Sequence, residues 1–290
     1  MPLVSIIVPC FNASKTILQT LNSIKKQEME DYECLIINDF CTDNSEKIIT
    51  KFTQLDSRFK IINLESNRGV SFARNKGLEN SSGRYIAFLD SDDLWNRNFL
   101  QSSIDIREGA NLPITHCPYI RFMKNEKNYL GKVIYPPRLI KADNIGIKNY
   151  LPLLTTVLDR KIIGNFRFKE IRPEDYALWI ELIEDRKFYS KMLPLIGAFY
   201  RVSENQRSNN KIKSIKRIYS MYKKDRKLNR FTSIKKTINW GYNNILEKKE
   251  KFKSIEILNN EISKEFYQLV ENKFWLNLTF FYFFKILIMI

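Results

Sequence analysis

Strand-like and helix-like patterns alternate through the first 95 residues of this chain. Four short apolar runs are separated by stretches in which apolar residues recur at the spacing of a helix. Such alternation is typical of a mostly parallel sheet with helices on its faces, so the sequence predicts an α/β fold. The four strands are predicted at residues 4–8, 33–39, 60–64 and 85–89.

Three carboxylates, Asp90, Asp92 and Asp93, follow the fourth predicted strand. They therefore lie at the carboxyl end of a strand, the edge of an open α/β sheet where ligands bind. Clustered carboxylates repel each other unless they share a cation, and Mg²⁺ or Mn²⁺ takes carboxylates together with substrate phosphates. The pattern predicts a metal–diphosphate site. The alternative is that Asp92 or Asp93 caps a helix beginning at Leu94 and that the other acids are solvated.

Length and charge indicate one large domain with a basic appendage. The 290 residues, of which 44% are hydrophobic, are enough for one α/β domain and an extension. The formal net charge is +16, and residues 201–290 contain 20 Lys and Arg against 8 Asp and Glu. The basic character therefore belongs to the C-terminal region.

Cysteine usage favours a cytosolic protein with reduced thiols. The four cysteines have no metal-type spacing and are too few for a disulfide framework. The apolar residues 3–8 lack a basic region before them, so they indicate a first strand and not a signal peptide. The cysteines are Cys10, Cys34, Cys41 and Cys117.

Five motifs follow one another along the chain: residues 4–12 (VSIIVPCFN), 35–43 (LIINDFCTD), 67–77 (NRGVSFARNKG), 85–95 (YIAFLDSDDLW), and Glu174-Asp175 followed by Trp179. Together they resemble the family 2 glycosyltransferases, inverting enzymes that use nucleotide-diphosphate sugars. The resemblance implies a GT-A fold, a Rossmann-like, mostly parallel mixed sheet with flanking helices. It covers about residues 1–205, with a nucleotide-binding half at 1–95 and an acceptor half at 96–205, and leaves a C-terminal helical extension at 206–290.

The first two motifs imply contacts with the nucleotide. By resemblance, Pro9, Asn12 and Asp39 bind the nucleotide-sugar, and Asp39 accepts a hydrogen bond from the uracil ring. The alternative is that Asp39 caps the turn that follows it. Asn38 stands where the family usually has a second Asp, and Phe40 replaces a frequent small residue.

The next two motifs imply the phosphate and metal contacts. By resemblance, Arg74 packs beside the nucleotide, and Asp90, Ser91 and Asp92 form the Asp-x-Asp signature. Asp92 then binds Mg²⁺ or Mn²⁺ directly and Asp90 serves the ribose or the metal, so that the cation neutralises the leaving diphosphate. The alternative for Arg74 is that it only pairs with Asp90. Asp93 is either a helix cap or a further ligand.

The last motif implies the catalytic base. Inversion needs a base that deprotonates the acceptor hydroxyl on the sugar face opposite the departing diphosphate. By resemblance Asp175 is that base, Glu174 shapes the acceptor pocket, and Trp179 binds the acceptor or packs one turn later. The alternative for Asp175 is a partner for the helix dipole.

Four further positions receive predictions. Arg201 or Arg207 is expected either to meet the diphosphate or to lie on the surface, and Ser203 stands where the family often carries His. His116, the only histidine, is predicted in the core or the acceptor cleft, because a single histidine builds no zinc site.

The C-terminal region combines basic and apolar signals. Residues 207–236 contain 12 Lys and Arg and one acid, with apolar residues at helical spacing, and residues 274–290 are almost entirely apolar. Seventeen helical residues reach about 25 Å, short of a bilayer core, so they predict an interfacial helix on an anionic inner membrane, at its cytoplasmic face. The aromatic end favours lipid over nucleic acid. The alternative is packing on the α/β domain or on a second subunit, as a homo-oligomer.

These expectations combine into one function. The sequence predicts a transferase that moves a sugar from a UDP-sugar to a hydroxyl of a glycan or lipid-linked acceptor, in lipopolysaccharide, capsule or other surface-polysaccharide synthesis. The departures at Asn38 and Ser203 motivate an alternative, a non-catalytic membrane- or nucleic-acid-binding protein on a relic transferase domain.

Overall fold

The computed structural model describes residues 1–107, 110–124, 129–202, 211–246, 253–254 and 260–270. Its first part alternates strand and helix as the sequence predicts, because short apolar runs become buried strands and amphipathic stretches become helices. The elements are β1 (Val4–Cys10), α1 (Ile17–Lys25), β2 (Tyr32–Asn38), α2 (Ser45–Thr53), β3 (Phe59–Asn63), α3 (Val70–Asn80) and β4 (Tyr85–Phe88).

The second part is less regular, with short strands and helices joined by longer loops. Its elements up to residue 163 are β5 (Leu94–Trp95), α4 (Phe99–Asp105), β6 (Ile114–His116), β7 (Tyr119–Lys124), β8 (Tyr129–Ile134), β9 (Leu139–Ile140), α5 (Ala142–Ile145), β10 (Thr156–Asp159) and α6 (Arg160–Ile163). Then follow α7 (Glu174–Trp179), which continues as a π-helical turn over Ile180–Asp185, β11 (Ser190–Met192) and β12 (Ala198–Arg201).

An eight-stranded mixed sheet in the order β3-β2-β1-β4-β10-β6-β11-β9 forms the centre of the fold. Strand β1 pairs in parallel with both β2 and β4, whereas β10 enters antiparallel beside β4. Successive residues of β1 point to opposite faces, so Ile6 and Val8 lie in one apolar cluster and Ile7 in the other. This two-sided burial explains why residues 6–8 of β1 are all apolar.

Leu94 and Trp95 form strand β5, and the alternative of a helix beginning at Leu94 is wrong. Leu94 pairs with Phe199 and Trp95 with Ala198, antiparallel to β12. Both side chains are fully buried, and they lie in different apolar clusters, as alternation along a strand requires. The residues after the acidic cluster therefore lead into a second sheet and not into a helix.

That second sheet follows the order β13-β8-β7-β12-β5, with β13 at Lys253–Ser254. Strand β12 is parallel to β7 and antiparallel to β5. Because β5 directly follows the acidic residues, the second sheet holds one end of the acidic loop and β4 of the main sheet holds the other. The loop is thus fixed on both sides.

The described helices beyond residue 205 pack on the α/β domain. Helix α8 (Lys211–Ser220) continues through a π-helical turn over Met221–Asp225, and α9 (Arg230–Leu246) follows. Helix α10 (Asn260–Val270) buries Phe266 and Leu269 in the cluster beside β5 and β12. The alternative of packing on the α/β domain therefore holds for α10. The predicted interfacial helix at 274–290 lies outside the described residues.

None of the helices in the described ranges is both long and apolar enough to cross a membrane.

Candidate active site

The acidic loop after β4 is held by a buried carboxylate, Asp93. Its backbone N–H donates to the Asp90 carbonyl at 3.1 Å, and its Oδ1 accepts the backbone N–H of Arg201 at 2.8 Å. Burial, together with the charge of Asp92, raises the pKa of Asp93 well above its usual value. Asp93 is therefore neither the helix cap nor the metal ligand considered above, but the residue that fastens the loop to β12.

Asp90 and Asp92 remain accessible in that loop. The Asp90 side chain is 41% exposed, and its Oδ1 accepts a hydrogen bond from Arg74. Among the described residues no other side chain donates a hydrogen bond to the Asp92 carboxylate, although protein atoms surround it. Burial, and then the neighbouring charge of Asp90, raises the pKa of Asp92 to about 6. The guanidinium of Arg201, which donates to the Asp92 backbone carbonyl, lowers this pKa but does not outweigh burial and the charge of Asp90.

This donor set fits a cation that is shared with a substrate. The described ranges contain no group of three or more His, Cys, Asp or Glu side chains arranged to hold a metal. Mg²⁺ and Mn²⁺ sites often use one or two carboxylates and complete their shell with substrate phosphates and water. A cation near Asp92 would favour the ionised form of its carboxyl group and would thus oppose the burial that raises its pKa.

Arg74 connects the acidic loop to helix α7. The buried guanidinium donates to Asp90 Oδ1 at 2.7 Å and to Glu174 Oε1 at 3.0 Å, above the ring of Phe168. Burial lowers the pKa of Arg74, but the charges of Asp90 and Glu174 outweigh it and hold the pKa above its usual value. The pairing of Arg74 with Asp90, considered above as the alternative, is present and extends to the predicted acceptor side.

Asp175 occupies the first turn of α7, next to Glu174. Its Oδ2 accepts the Asn149 side-chain amide at 2.9 Å, and its Oδ1 accepts the backbone N–H of Tyr176 at 2.8 Å. Burial, and then the charge of Glu174, raises the pKa of Asp175 to about 6. A carboxylate with that pKa is ionised at neutral pH and still basic enough to take a proton.

Trp179 lies in the core, so its predicted acceptor-binding role is wrong. The side chain is fully buried among the residues packed against the main sheet, and its Nε1 donates to the Leu151 carbonyl at 2.6 Å. A stacking platform needs an open ring face, and Trp179 has none. The packing role is the one that the structure supports.

Asp39 anchors the start of helix α3. Its Oδ1 accepts the backbone N–H of Arg68 at 2.7 Å, and its Oδ2 accepts that of Gly69 at 2.9 Å. Gly69 has φ +84°, a conformation that side chains disfavour. Arg74 lies five residues further along the helix, about 7.5 Å at the usual rise. One helix therefore contacts Asp39, Asp90 and Glu174, which places the three predicted groups around α3.

The ends of β1 and β2 are tied together beside Asp39. Asn12 accepts the backbone N–H of Thr42 at 2.8 Å through Oδ1 and donates to the Thr42 hydroxyl. Pro9 is buried within β1, and Ser91 is half-buried with its carbonyl accepting the Thr16 hydroxyl at 2.9 Å. Pro9 and Asn12 thus shape this edge of the sheet, and their contacts with a nucleotide stay predictions.

Asn38 has a structural role that explains its departure from the family. Its Nδ2 donates to Asn63 Oδ1 at 2.9 Å and to Glu46 Oε2 at 3.2 Å, while its Oδ1 accepts the Cys41 N–H. An aspartate here would set a second carboxylate against Glu46. Phe40 is exposed, with φ +59°.

Sequence reasoning missed two contacts that hold the site. Asn149 binds Asp175 from a loop 26 residues away, and Gln19 accepts from the Arg201 guanidinium at 2.8 Å while donating to the Val270 carbonyl at 2.8 Å. Arg201 also donates to the Asp92 carbonyl at 2.7 Å. Arg201 was singled out by resemblance, but no local pattern marks Gln19 or Asn149.

His116 is a core residue. Its ring lies within 2.7 Å of the Ser190 hydroxyl and 2.9 Å of the Pro137 carbonyl, and burial lowers its pKa to about 4. The predictions for Ser203 and Arg207 lie outside the described residues.

Comparisons with known proteins agree with this geometry. The model of the family described as glycosyl transferase family 2 matches residues 5–155. The Escherichia coli protein named UDP-Glc:alpha-D-GlcNAc-diphosphoundecaprenol beta-1,3-glucosyltransferase WfgD is 36% identical over 216 residues, 74% of this chain and 83% of the relative.

Solved structures support the fold. Staphylococcus aureus TarS 1-349 in complex with UDP-GlcNAc superposes with a TM-score of 0.61 at 18% identity, over 82% of this chain and 70% of that chain. The mannosyltransferase PcManGT from Pyrobaculum calidifontis, in complex with GDP-Man and Mn²⁺, superposes with a TM-score of 0.60 at 14% identity. The match covers 79% of this chain and 65% of that chain. At these identities the likeness concerns the fold alone, and it confirms the predicted GT-A architecture.

Proposed function

This chain belongs to glycosyl transferase family 2, and from that membership we propose that it moves a sugar from a UDP-sugar to a hydroxyl of a lipid-linked acceptor. The observation that carries the proposal is the buried guanidinium of Arg74. It contacts Asp90 on the donor side and Glu174 on the acceptor side, directly next to the candidate base Asp175. Donor and acceptor carboxylates therefore belong to one connected network.

The chemistry assigned to these residues is a single displacement. The Asp175 carboxylate accepts the proton of the acceptor hydroxyl, whose oxygen forms a bond to the anomeric carbon. The bond between that carbon and the diphosphate oxygen breaks at the same time, so UDP leaves with the electron pair and the configuration inverts. No covalent bond to the protein is needed.

Asp90 and Asp92 are the residues that would hold a divalent cation. When bound there, Mg²⁺ or Mn²⁺ neutralises the charge that develops on the leaving diphosphate. Three observations support metal dependence: the raised pKa of Asp92, its lack of a side-chain donor within the described ranges, and Mn²⁺ in the structure of a fold neighbour. The loop that carries both carboxylates is fixed by Asp93 and Arg201, as a preorganised site requires.

The substrate class follows from the relative. The E. coli protein is named for a UDP-glucose donor and an acceptor sugar on diphosphoundecaprenol. We carry the class to this chain: a UDP-sugar donor and a polyprenyl-diphosphate-linked acceptor in the synthesis of a surface polysaccharide. Such an acceptor is embedded in a membrane, so we also propose that the protein attaches peripherally to the cytoplasmic face of an anionic membrane.

Two substitutions test the assignment. UDP with Mn²⁺ is expected to raise the melting temperature, since a ligand at 100 times its Kd stabilises by about 2.7 kcal/mol. Asp92→Ala should remove this shift, whereas Asp175→Asn should keep it and abolish turnover. UDP release from a panel of UDP-sugars measures the turnover and identifies the donor.

A matched control is Asp31→Asn, which changes an exposed acid at the start of β2. This variant should retain both the thermal shift and the rate. A rate in Asp175→Asn equal to that of the control would remove Asp175 from the role of base. A full thermal shift in Asp92→Ala would remove Asp92 from the cation site.

A further inference from the structure

Helix α9 carries its apolar side chains on the outside. Phe231, Ile234, Ile238 and Tyr242 are 78%, 41%, 66% and 63% exposed. Their spacing of three, four and four residues places them in one stripe along the helix. A helix that packs on a domain normally buries such a stripe and exposes its polar side, so α9 has the reverse arrangement.

The buried side of α9 is polar and already satisfied. Ser233 and Thr237 are buried, half a turn away from the apolar stripe. The Ser233 hydroxyl donates to the Asn229 carbonyl at 2.9 Å, and the Thr237 hydroxyl donates to the Ser233 carbonyl at 2.7 Å. Of the large apolar side chains of α9, Trp240 is partly buried against the domain, whereas the four side chains of the stripe are left for another contact.

Helix α8 repeats the pattern. Ile212 and Ile215 are exposed at a spacing of three residues, whereas Ile218 is buried against the domain. Two successive helices thus expose several aliphatic or aromatic side chains each. Single exposed apolar residues are common on soluble proteins, but such groups of them mark an interaction surface.

The surface around these stripes is strongly basic. Residues 211–246 contain 11 Lys and Arg and a single acid, Asp225, whose carboxylate is paired with Lys169 at 3.0 Å. The nearby Asp185 is paired with Arg226, and Glu184 accepts from Lys236 at 3.2 Å. The basic residues that remain exposed are Lys213, Lys216, Lys223, Lys224, Lys227, Arg230 and Lys235.

We propose that the exposed stripe of α9, with the basic residues of α8 and α9 around it, is the surface by which this protein lies on an anionic lipid bilayer. Phe231, Ile234 and Ile238 enter the boundary between headgroups and acyl chains, and the lysines contact lipid phosphates. The inference deepens the membrane attachment proposed above by naming its surface.

Charge decides between a bilayer and a second copy of the chain. Two copies that met through this face would bring together the seven exposed basic residues of each copy, which repel one another. Anionic lipid instead supplies the opposite charge next to an apolar interior, which matches both properties of the surface. Nucleic acid would match the charge but would leave the apolar stripe exposed to water.

The test uses the full chain and vesicles, without donor or acceptor, so that it does not depend on turnover. Co-sedimentation is measured with phosphatidylcholine vesicles and with vesicles that also contain phosphatidylglycerol. The wild type should bind the anionic vesicles, and less as salt rises. The double variant Phe231→Ser, Ile238→Ser should bind roughly tenfold or more weakly, since each substitution removes a large apolar side chain from the lipid.

The matched control applies the same change to two equally exposed apolar residues elsewhere, Leu55→Ser and Tyr135→Ser. That control should bind like the wild type. Both variants are checked for an unchanged melting temperature. As a second measurement, the tryptophan fluorescence of Phe231→Trp should shift to shorter wavelength when anionic vesicles are added, and that of Leu55→Trp should not.

Three other results would overturn the inference, and each would point to a different explanation. If the α9 variant binds as strongly as the wild type, attachment belongs to another segment, such as the apolar residues 274–290. If the wild type ignores vesicles yet transfers sugar to a water-soluble acceptor, the membrane proposal fails and the transferase stands. If the wild type is a dimer that the α9 variant converts to a monomer, the face is an interface between copies.

Discussion

Replacing Arg74 by methionine tests the link between the two sides of the active site. Methionine keeps much of the apolar volume against Phe168 but removes the cation between Asp90 and Glu174. Glu174 is only 15% exposed, so its carboxylate loses a partner that solvent replaces poorly. Asp90 is 41% exposed, and water can take over most of that contact.

The size of the effect follows from this difference. Breaking a buried ion pair costs about 3–5 kcal/mol, and the exposed half of this network contributes under about 1 kcal/mol. We therefore expect Arg74→Met to lower the free energy of unfolding by about 2–4 kcal/mol in urea denaturation. Arg97→Met is the matched control, because it breaks an exposed pair with Glu28 and should cost less than about 1 kcal/mol.

The same substitution should move the pH profile. The charge of Arg74 lowers the pKa of Asp175 against the effects of burial and of Glu174, which together hold it near 6. Without Arg74 this pKa should rise, so kcat/KM should reach half its plateau at a higher pH than in the wild type. Equal stability of the Arg74→Met and Arg97→Met variants, with an unmoved profile, would refute the connected network.

The remaining predictions concern Asp175, Asp92 and Asn38. The transfer rate should fall about tenfold per pH unit below pH 6, because the raised pKa of Asp175 leaves the proposed base protonated there. The rise in melting temperature with UDP and Mn²⁺ should shrink over the same pH range, because Asp92 takes up a proton. In the ligand-free protein the raised pKa of Asp92 means that stability decreases as pH rises from about 4 to about 6; added Mn²⁺ should oppose this trend. Asn38→Asp should destabilise the chain by about 1–3 kcal/mol through repulsion from Glu46, and Glu46→Gln in the same chain should restore most of the loss in a denaturation experiment.

The part of the fold that local periodicity encodes was predictable. Runs such as residues 4–8 and 85–89 are apolar because both faces of their strands are buried, and polar residues begin where each strand leaves the sheet. The acidic cluster could therefore be placed at a strand end from the sequence alone. The strand order of the second half could not be predicted, because β10 pairs antiparallel with β4 and β6, which are distant in the sequence, and local patterns do not encode such pairing.

The roles of several site residues depended on distant partners. Asp93 looks like an exposed acid or a helix cap until Arg201, 108 residues later, is seen to donate to it. Trp179 follows Asp175 by one helical turn, and this spacing suggests a shared open face. In the structure, Leu151 covers Trp179 and accepts its indole N–H. No pattern within α7 predicts this contact. The sequence therefore predicted which residues lie near the candidate site better than it predicted their burial and their hydrogen-bond partners.

Gln19 connects helix α10 to the acidic loop of the candidate site. One side-chain amide joins the carbonyl of Val270 to the guanidinium of Arg201, which in turn holds the carbonyl of Asp92. Shortening the polypeptide to residues 5–155, which the family match covers, would remove Arg201, which holds the Asp92 carbonyl directly, and Val270, which is three hydrogen bonds away from it. A fragment that is to keep this chain of hydrogen bonds to the acidic loop must therefore extend to residue 270.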